Sequence, residues 1–116
     1  MTASADALAT LLDAFERGDL TAAADCFADD AAYCEPRKAP VLGRAAIAAH
    51  FARFAAVAGR SWRFEVDEVI SNGRSACVVY RYAAEGGGET RRERAGCATV
   101  RFNEHGRISE WREYEG

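Results

Sequence analysis

At 116 residues, 49% of them hydrophobic and 28% charged, the chain is long enough to bury the core of one domain, read as residues 1–116, and too apolar to stay disordered. A formal net charge of -3 and a pI near 5.4 exclude a broad basic face, and with it a general nucleic-acid binder. No run approaches the roughly 18 apolar residues of a membrane span, so no membrane partner is expected.

Residues 4–17 predict an amphipathic helix. Ser4 stands where a cap is needed, Leu8, Leu11, Leu12 and Phe15 recur at helical spacing, and Gly18 closes the end. Asp19 caps a second, shorter helix whose apolar stripe is Leu20, Ala23, Ala24 and Phe27; the acidic pair Asp29-Asp30 is expected to break it. Ala31 to Glu35 then alternates as a strand with Tyr33 and Glu35 on one face. It ends at Pro36, which has no N–H to give to a ladder. The segment 37–43 reads as a loop around Pro40 with room for a short strand at Val41-Leu42. Arg44 to Ala58 is an alanine-rich helix with Ile47, Phe51 and Phe54 on one face, stopping at Gly59.

The apolar period then changes from 3.6 to 2. Trp62 to Val66 alternates and extends toward Ile70, and Asn72-Gly73 marks a tight hairpin. Ser75 to Ala84 follows with Val78, Tyr80 and Tyr82 on one face. Gly86-Gly87-Gly88 reads as a flexible turn, Thr90 to Phe102 as a long strand, and residues 103–106 as the turn into a last strand from Arg107 to Tyr114. Helices first and a meander after predict an α+β domain with helices on one face of a curved sheet.

Four cysteines, Cys26, Cys34, Cys77 and Cys97, are scattered without a C-x-x-C, and residues 1–16 lack a secretory pattern. Reduced, buried thiols in a cytoplasmic protein are the expectation. His50 and His105 lie far apart in sequence, so no metal site is predicted. The triple glycine sits between strands rather than ahead of a helix, so it is not a phosphate loop, and no cofactor is expected.

Four stretches then occur in a recognisable order: Gly18-Asp19-Leu20, Phe27-Ala28-Asp29-Asp30-Ala31, Glu35-Pro36 and Gly43-Arg44-Ala45-Ala46-Ile47. Together with Ile108-Ser109-Glu110-Trp111 they make nearly the whole chain resemble the nuclear transport factor 2-like superfamily, in its SnoaL-like and ketosteroid-isomerase-like branches. The resemblance implies a cone: a curved antiparallel or mixed sheet wrapped around a long helix, a deep apolar pocket for a small hydrophobic molecule, and a homodimer formed through the outer sheet face. In the ketosteroid isomerase branch the catalytic base is the acid directly before the strand-ending proline, which is Glu35 here. That branch holds its oxyanion with a tyrosine of the first helix and an acid of the penultimate strand. Those positions correspond to Leu11 and about Ala98, which have no donor to offer. Losing one oxyanion donor costs roughly 3 kcal/mol of transition-state stabilisation, so steroid-type isomerisation by that route is disfavoured.

Glu35 is the candidate general base or acid, since a carboxylate on an apolar strand face costs free energy unless paired, hydrated or used. Alternation places Arg94 inward, either to neutralise Glu35 or to bind an anionic ligand group; a solvated charge run over Arg91-Arg92-Glu93-Arg94 is the other reading. Tyr33, Tyr80 and Tyr82 are candidate ligand donors or core tyrosines with satisfied hydroxyls. His50 is a candidate proton shuttle at the edge of its helix. Phe54, Trp62 and Trp111 are pocket walls or core. Arg107, Glu110, Arg112, Glu113 and Glu115 on the last strand read as polar surface or dimer rim. Two functions remain open at this level. One is a cofactor-independent isomerase or cyclase using Glu35 on a hydrophobic carbonyl ligand; the other is a non-catalytic binding or dimerisation module. An epoxide-hydrolase-like reading would need an Asp-Arg-Asp set, and no aspartate follows Asp67.

Overall fold

The computed structural model describes residues 3–58, 62–85 and 91–115. Helix α1 (Ala3–Arg17) and the short α2 (Leu20–Ala24) precede β1 (Phe27–Cys34) and β2 (Val41–Leu42). Helix α3 (Arg44–Ala58) is followed by β3 (Trp62–Ser71), β4 (Ser75–Glu85), β5 (Arg91–Phe102) and β6 (Ile108–Glu115). The expected stop at Gly59 and the triple-glycine turn lie outside the described residues.

Gly18 ends α1 at φ +76°, a left-handed position that a Cβ resists. Asp19 then caps α2 by accepting the Ala22 N–H at 3.0 Å. Ser4 does not cap α1, which already includes Ala3; its hydroxyl instead donates across the domain to the Gly73 carbonyl at 3.3 Å. The largest departure from local expectation is at Phe27 to Asp30. Asp29-Asp30 does not break a helix: α2 ends at Ala24 and β1 already runs through the acidic pair. Phe27 pairs with Ile108 and Ala32 with Glu110, with a bulge between them that leaves Asp29 and Asp30 exposed. A five-residue helix gains little by extension, whereas β6 offers a complete ladder and a buried place for Phe27.

The sheet runs in the order β2-β1-β6-β5-β4-β3. Every neighbouring pair is antiparallel except β1 and β6, which run parallel and make the sheet mixed. That contact joins an early strand to the last one and sets Tyr33 opposite Trp111. A bulge between Val66 and Glu68 keeps the inward phase of β3, so that Phe64 and Val66 face the core side before it and Val69 pairs with buried Val78 after it.

The sheet is curved and unclosed, and its concave face receives α1 and α3. Phe15 and Leu11 from α1, and Ile47 and Phe51 from α3, are buried with Phe27, Val78, Val100, Ile108 and Trp111. The outer face carries Cys77 and Cys97, diagonal neighbours through the pairs Cys77–Thr99 and Val79–Cys97, near exposed Ile70 and Tyr114. All four cysteines are free thiols.

Gly96 matters for a different reason from Gly18. A Cβ there would lie 2.6 Å from the Tyr114 carbonyl oxygen, 2.9 Å from Glu115 Cγ and 3.2 Å from the Tyr80 hydroxyl. The carbonyl belongs to a paired strand and cannot retreat. Gly96→Ala is therefore expected to destabilise the domain by about 1–3 kcal/mol and to displace Glu115, measured by urea titration. A stability equal to wild type would show that β6 yields there.

Candidate functional site

A cavity of about 520 Å³ opens between the concave sheet face, α3 and the turn after β1. Its construction follows from period two on the strands and period 3.6 on the helices. β1 and the turn after it bring Tyr33 and Glu35; α3 brings His50, Phe51 and Phe54. β3 and β4 bring Trp62, Phe64, Tyr80 and Tyr82; β5 and β6 bring Arg94, Glu113 and Glu115.

Glu35 lies at the edge of this space with its side chain 24% exposed. His50 Nε2 is 2.9 Å from Glu35 Oε1, and Lys38 Nζ is 3.8 Å from the same oxygen. Among the described residues both contacts fall on Oε1, which leaves Oε2 for a ligand. Lys38 is largely exposed and its ion pair contributes little. The expected Glu35–Arg94 pairing is not formed. Arg94 does face inward, but its guanidinium bonds Glu115 Oε1 at 3.1 Å, because both side chains come from adjacent strands on the same face.

Glu113 and Glu115 belong to the cavity wall, not to an outer polar rim. The signal was in the sequence: Trp111, Glu113 and Glu115 are two residues apart, so an inward tryptophan carries both acids inward with it. Trp111 itself is fully buried behind the wall and is absent from the lining. Its indole Nε1–H donates to Glu113 Oε2 at 2.9 Å, and the Tyr33 hydroxyl donates to the same oxygen at 3.1 Å. The Tyr80 hydroxyl donates to Glu115 Oε2 at 3.3 Å. The three cavity tyrosines thus differ: Tyr33 and Tyr80 have carboxylate partners, while Tyr82 packs against Phe54, which in turn meets Trp62. The Phe54 ring centroid is 5.4 Å from that of Trp62 and 6.2 Å from that of Tyr82.

Electrostatics follow from this placement. Burial, then the nearby charges of Glu113 and Glu35, push the Tyr33 hydroxyl well above its usual range. Burial likewise raises Tyr82, to about 12. Glu113 is raised from 4.5 to about 7, chiefly by burial, with Glu35 and Glu115 adding to the rise; the hydrogen bonds from Trp111 and Tyr33 oppose it.

A carboxyl that binds its proton more tightly when folded favours the folded state at low pH. That contribution is complete below about 4.5 and is lost as pH rises through about 7. At one pKa unit per 1.36 kcal/mol, the loss is at most about 3 kcal/mol. Wild-type stability by urea titration is expected to fall between pH 5 and 8, and Glu113→Gln to flatten that segment. An unchanged slope in Glu113→Gln would assign the pH dependence to other groups.

Among the described residues no group of three or more His, Cys, Asp or Glu is arranged to hold a metal, and no helix is long and apolar enough to cross a membrane. Among the described residues no aspartate lines the cavity.

A curved mixed sheet closed on one side by helices, with polar groups facing an internal cavity, defines the nuclear transport factor 2-like class. Residues 8–111 match the SnoaL-like domain family, and the chain belongs to it. The solved structure of Bal32a, from a soil-derived mobile gene cassette, superposes with a TM-score of 0.84 at 25% identity, covering 97% of this chain and 88% of that one. An LEH-like epoxide hydrolase of M. tuberculosis superposes with a TM-score of 0.77 at 21% identity, covering 98% and 79%. SalBIII, an epoxide hydrolase/cyclase-like enzyme with a role in pyran ring formation in polyether salinomycin, gives 0.81 at 18% identity, covering 97% and 90%. The last two likenesses are likenesses of fold. No curated protein matches the chain in sequence.

Proposed function

We propose that the protein is a cofactor-independent enzyme that moves a proton on a small hydrophobic carbonyl compound, with Glu35 as general base. The observation that carries this reading is Glu35 on the wall of a 520 Å³ cavity, its Oε1 held 2.9 Å from His50 Nε2. His50 fixes the carboxylate and supplies a second proton site beside it. Phe54, Trp62 and Tyr82 offer aromatic faces for the apolar body of the ligand. Hydrolase/cyclase chemistry in a neighbour of the same fold keeps the isomerase and cyclase classes together as the proposed range.

The test is deuterium incorporation into the acetyl group of 2-acetonaphthone, a ketone with a flat apolar body, followed by NMR. Wild type is expected to accelerate exchange and Glu35→Gln to lose that acceleration. Equal rates would remove Glu35 as base and favour a non-catalytic binding module.

A further inference from the structure

Leu11 and Ala98 are fully buried and neither lines the cavity, so the carbonyl oxygen of a bound ketone needs another donor. We propose that Glu113 is a second catalytic residue, a neutral carboxyl that donates a hydrogen bond from Oε1 to the ligand carbonyl oxygen and holds the enolate formed when Glu35 takes the α-proton. This rests on the base assignment made above and adds the residue that receives the charge.

The geometry fixes which oxygen bears the proton. Trp111 Nε1–H has nothing but a donor to offer, and both it and the Tyr33 hydroxyl donate to Oε2. Among the described residues neither of these donors reaches Oε1, and Glu113 is a cavity-lining residue. A proton on Oε1 therefore faces the ligand space. The other ionisable groups that line the cavity with Glu113 are Tyr33, Glu35, Arg37 and Lys38 from β1 and the turn after it, His50 from α3, Tyr80 and Tyr82 from β4, Arg94 from β5 and Glu115 from β6. Arg94 is bonded to Glu115 rather than to Glu113, and Glu35 and Glu115 disfavour a second negative charge there. The proton is thus kept where a carbonyl can use it.

The step balances without a co-reactant. The Glu35 carboxylate accepts the α-proton, and the C–H electron pair becomes the carbon–carbon double bond of the enolate. The carbonyl oxygen takes the charge and accepts a hydrogen bond from Glu113. Return of the proton from Glu35 to a different carbon gives an isomer; when a solvent deuteron has first replaced that proton on Glu35, its return to the same carbon gives exchange.

The probe is 2-acetonaphthone, which only accepts hydrogen bonds at its oxygen, with 2-ethylnaphthalene as a control lacking the carbonyl; binding is read by calorimetry at pH 5.5 and 8.5. Wild type is expected to bind the ketone about tenfold more tightly at pH 5.5, the worth of one good hydrogen bond. It is expected to bind the hydrocarbon equally at both. Glu113→Gln, which keeps an N–H donor, should bind the ketone independently of pH. Glu35→Gln should keep the pH dependence while losing exchange, so failure of the base and failure of the donor are read separately. Ketone binding independent of pH in wild type, no ketone binding at either pH, or a pH dependence that persists in Glu113→Gln would each overturn the assignment.

Discussion

Glu35→Gln is expected to slow enzyme-dependent exchange of the acetyl protons of 2-acetonaphthone by about 10²–10⁴-fold, the usual contribution of a positioned general base. The amide has nearly the volume of the carboxylate and keeps an oxygen beside His50 Nε2, which lies 2.9 Å from Oε1. It cannot accept a proton from carbon at neutral pH. Substitution of His50 by Gln should give a smaller loss, because the base remains and only the contact that orients it is changed. Lys38→Ala should change the rate little, since its ammonium is 3.8 Å from Glu35 and its side chain is 67% exposed. If Glu35→Gln and His50→Gln lose the same large factor, the carboxylate and the imidazole act as one catalytic unit. If neither loses rate, the proposed function is wrong while the fold assignment is untouched.

Trp111→Ala is expected to cost about 3–5 kcal/mol of stability, the range for truncating a large buried aromatic. For a domain of this size that lowers the melting temperature by roughly 12–20 °C. Trp111 is completely buried, stands opposite Tyr33 in the parallel pairing and opposite Val100 in the antiparallel one, and meets Phe15 edge-on at 5.5 Å. Its removal would open space at the meeting point of α1, β1, β5 and β6. Trp111→Phe separates packing from hydrogen bonding, for it retains most of the ring but not the Nε1–H that reaches Glu113. That hydrogen bond favours the ionised carboxylate. Without it Glu113 should keep its proton to higher pH, and the fall in stability should move upward from about 7. Thermal melts of both variants from pH 5 to 9 read the two effects. A loss below 1 kcal/mol in Trp111→Ala would place the core elsewhere.

Several parts of this structure were legible residue by residue. Arg44 to Ala58 is the helix that its alanine content and its Ile47, Phe51 and Phe54 stripe predict, and β3 to β6 lie where alternation places them. Phe27 to Asp30 misleads because a helical stripe of Leu20, Ala23, Ala24 and Phe27 competes with a strand whose partner lies some eighty residues further on. The parallel ladder with β6 settles that competition, and local pattern contains no term for it. Glu113 and Glu115 mislead for another reason. In a run such as Arg112-Glu113-Tyr114-Glu115, charge suggests solvent, yet alternation from Trp111 sends both acids inward. Reading the period before the polarity finds them.

Residue type and order alone settle the family, the position of Glu35 before Pro36, and the absence of side-chain donors at Leu11 and Ala98. Tertiary structure decided which groups meet: His50 with Glu35, Arg94 with Glu115, and Tyr33 and Trp111 with Glu113. Each of those contacts joins side chains from different elements or depends on which sheet face β6 turns inward. Their geometry is set by strand register, bulges and helix docking, and those are properties of the packed chain rather than of any short stretch of it.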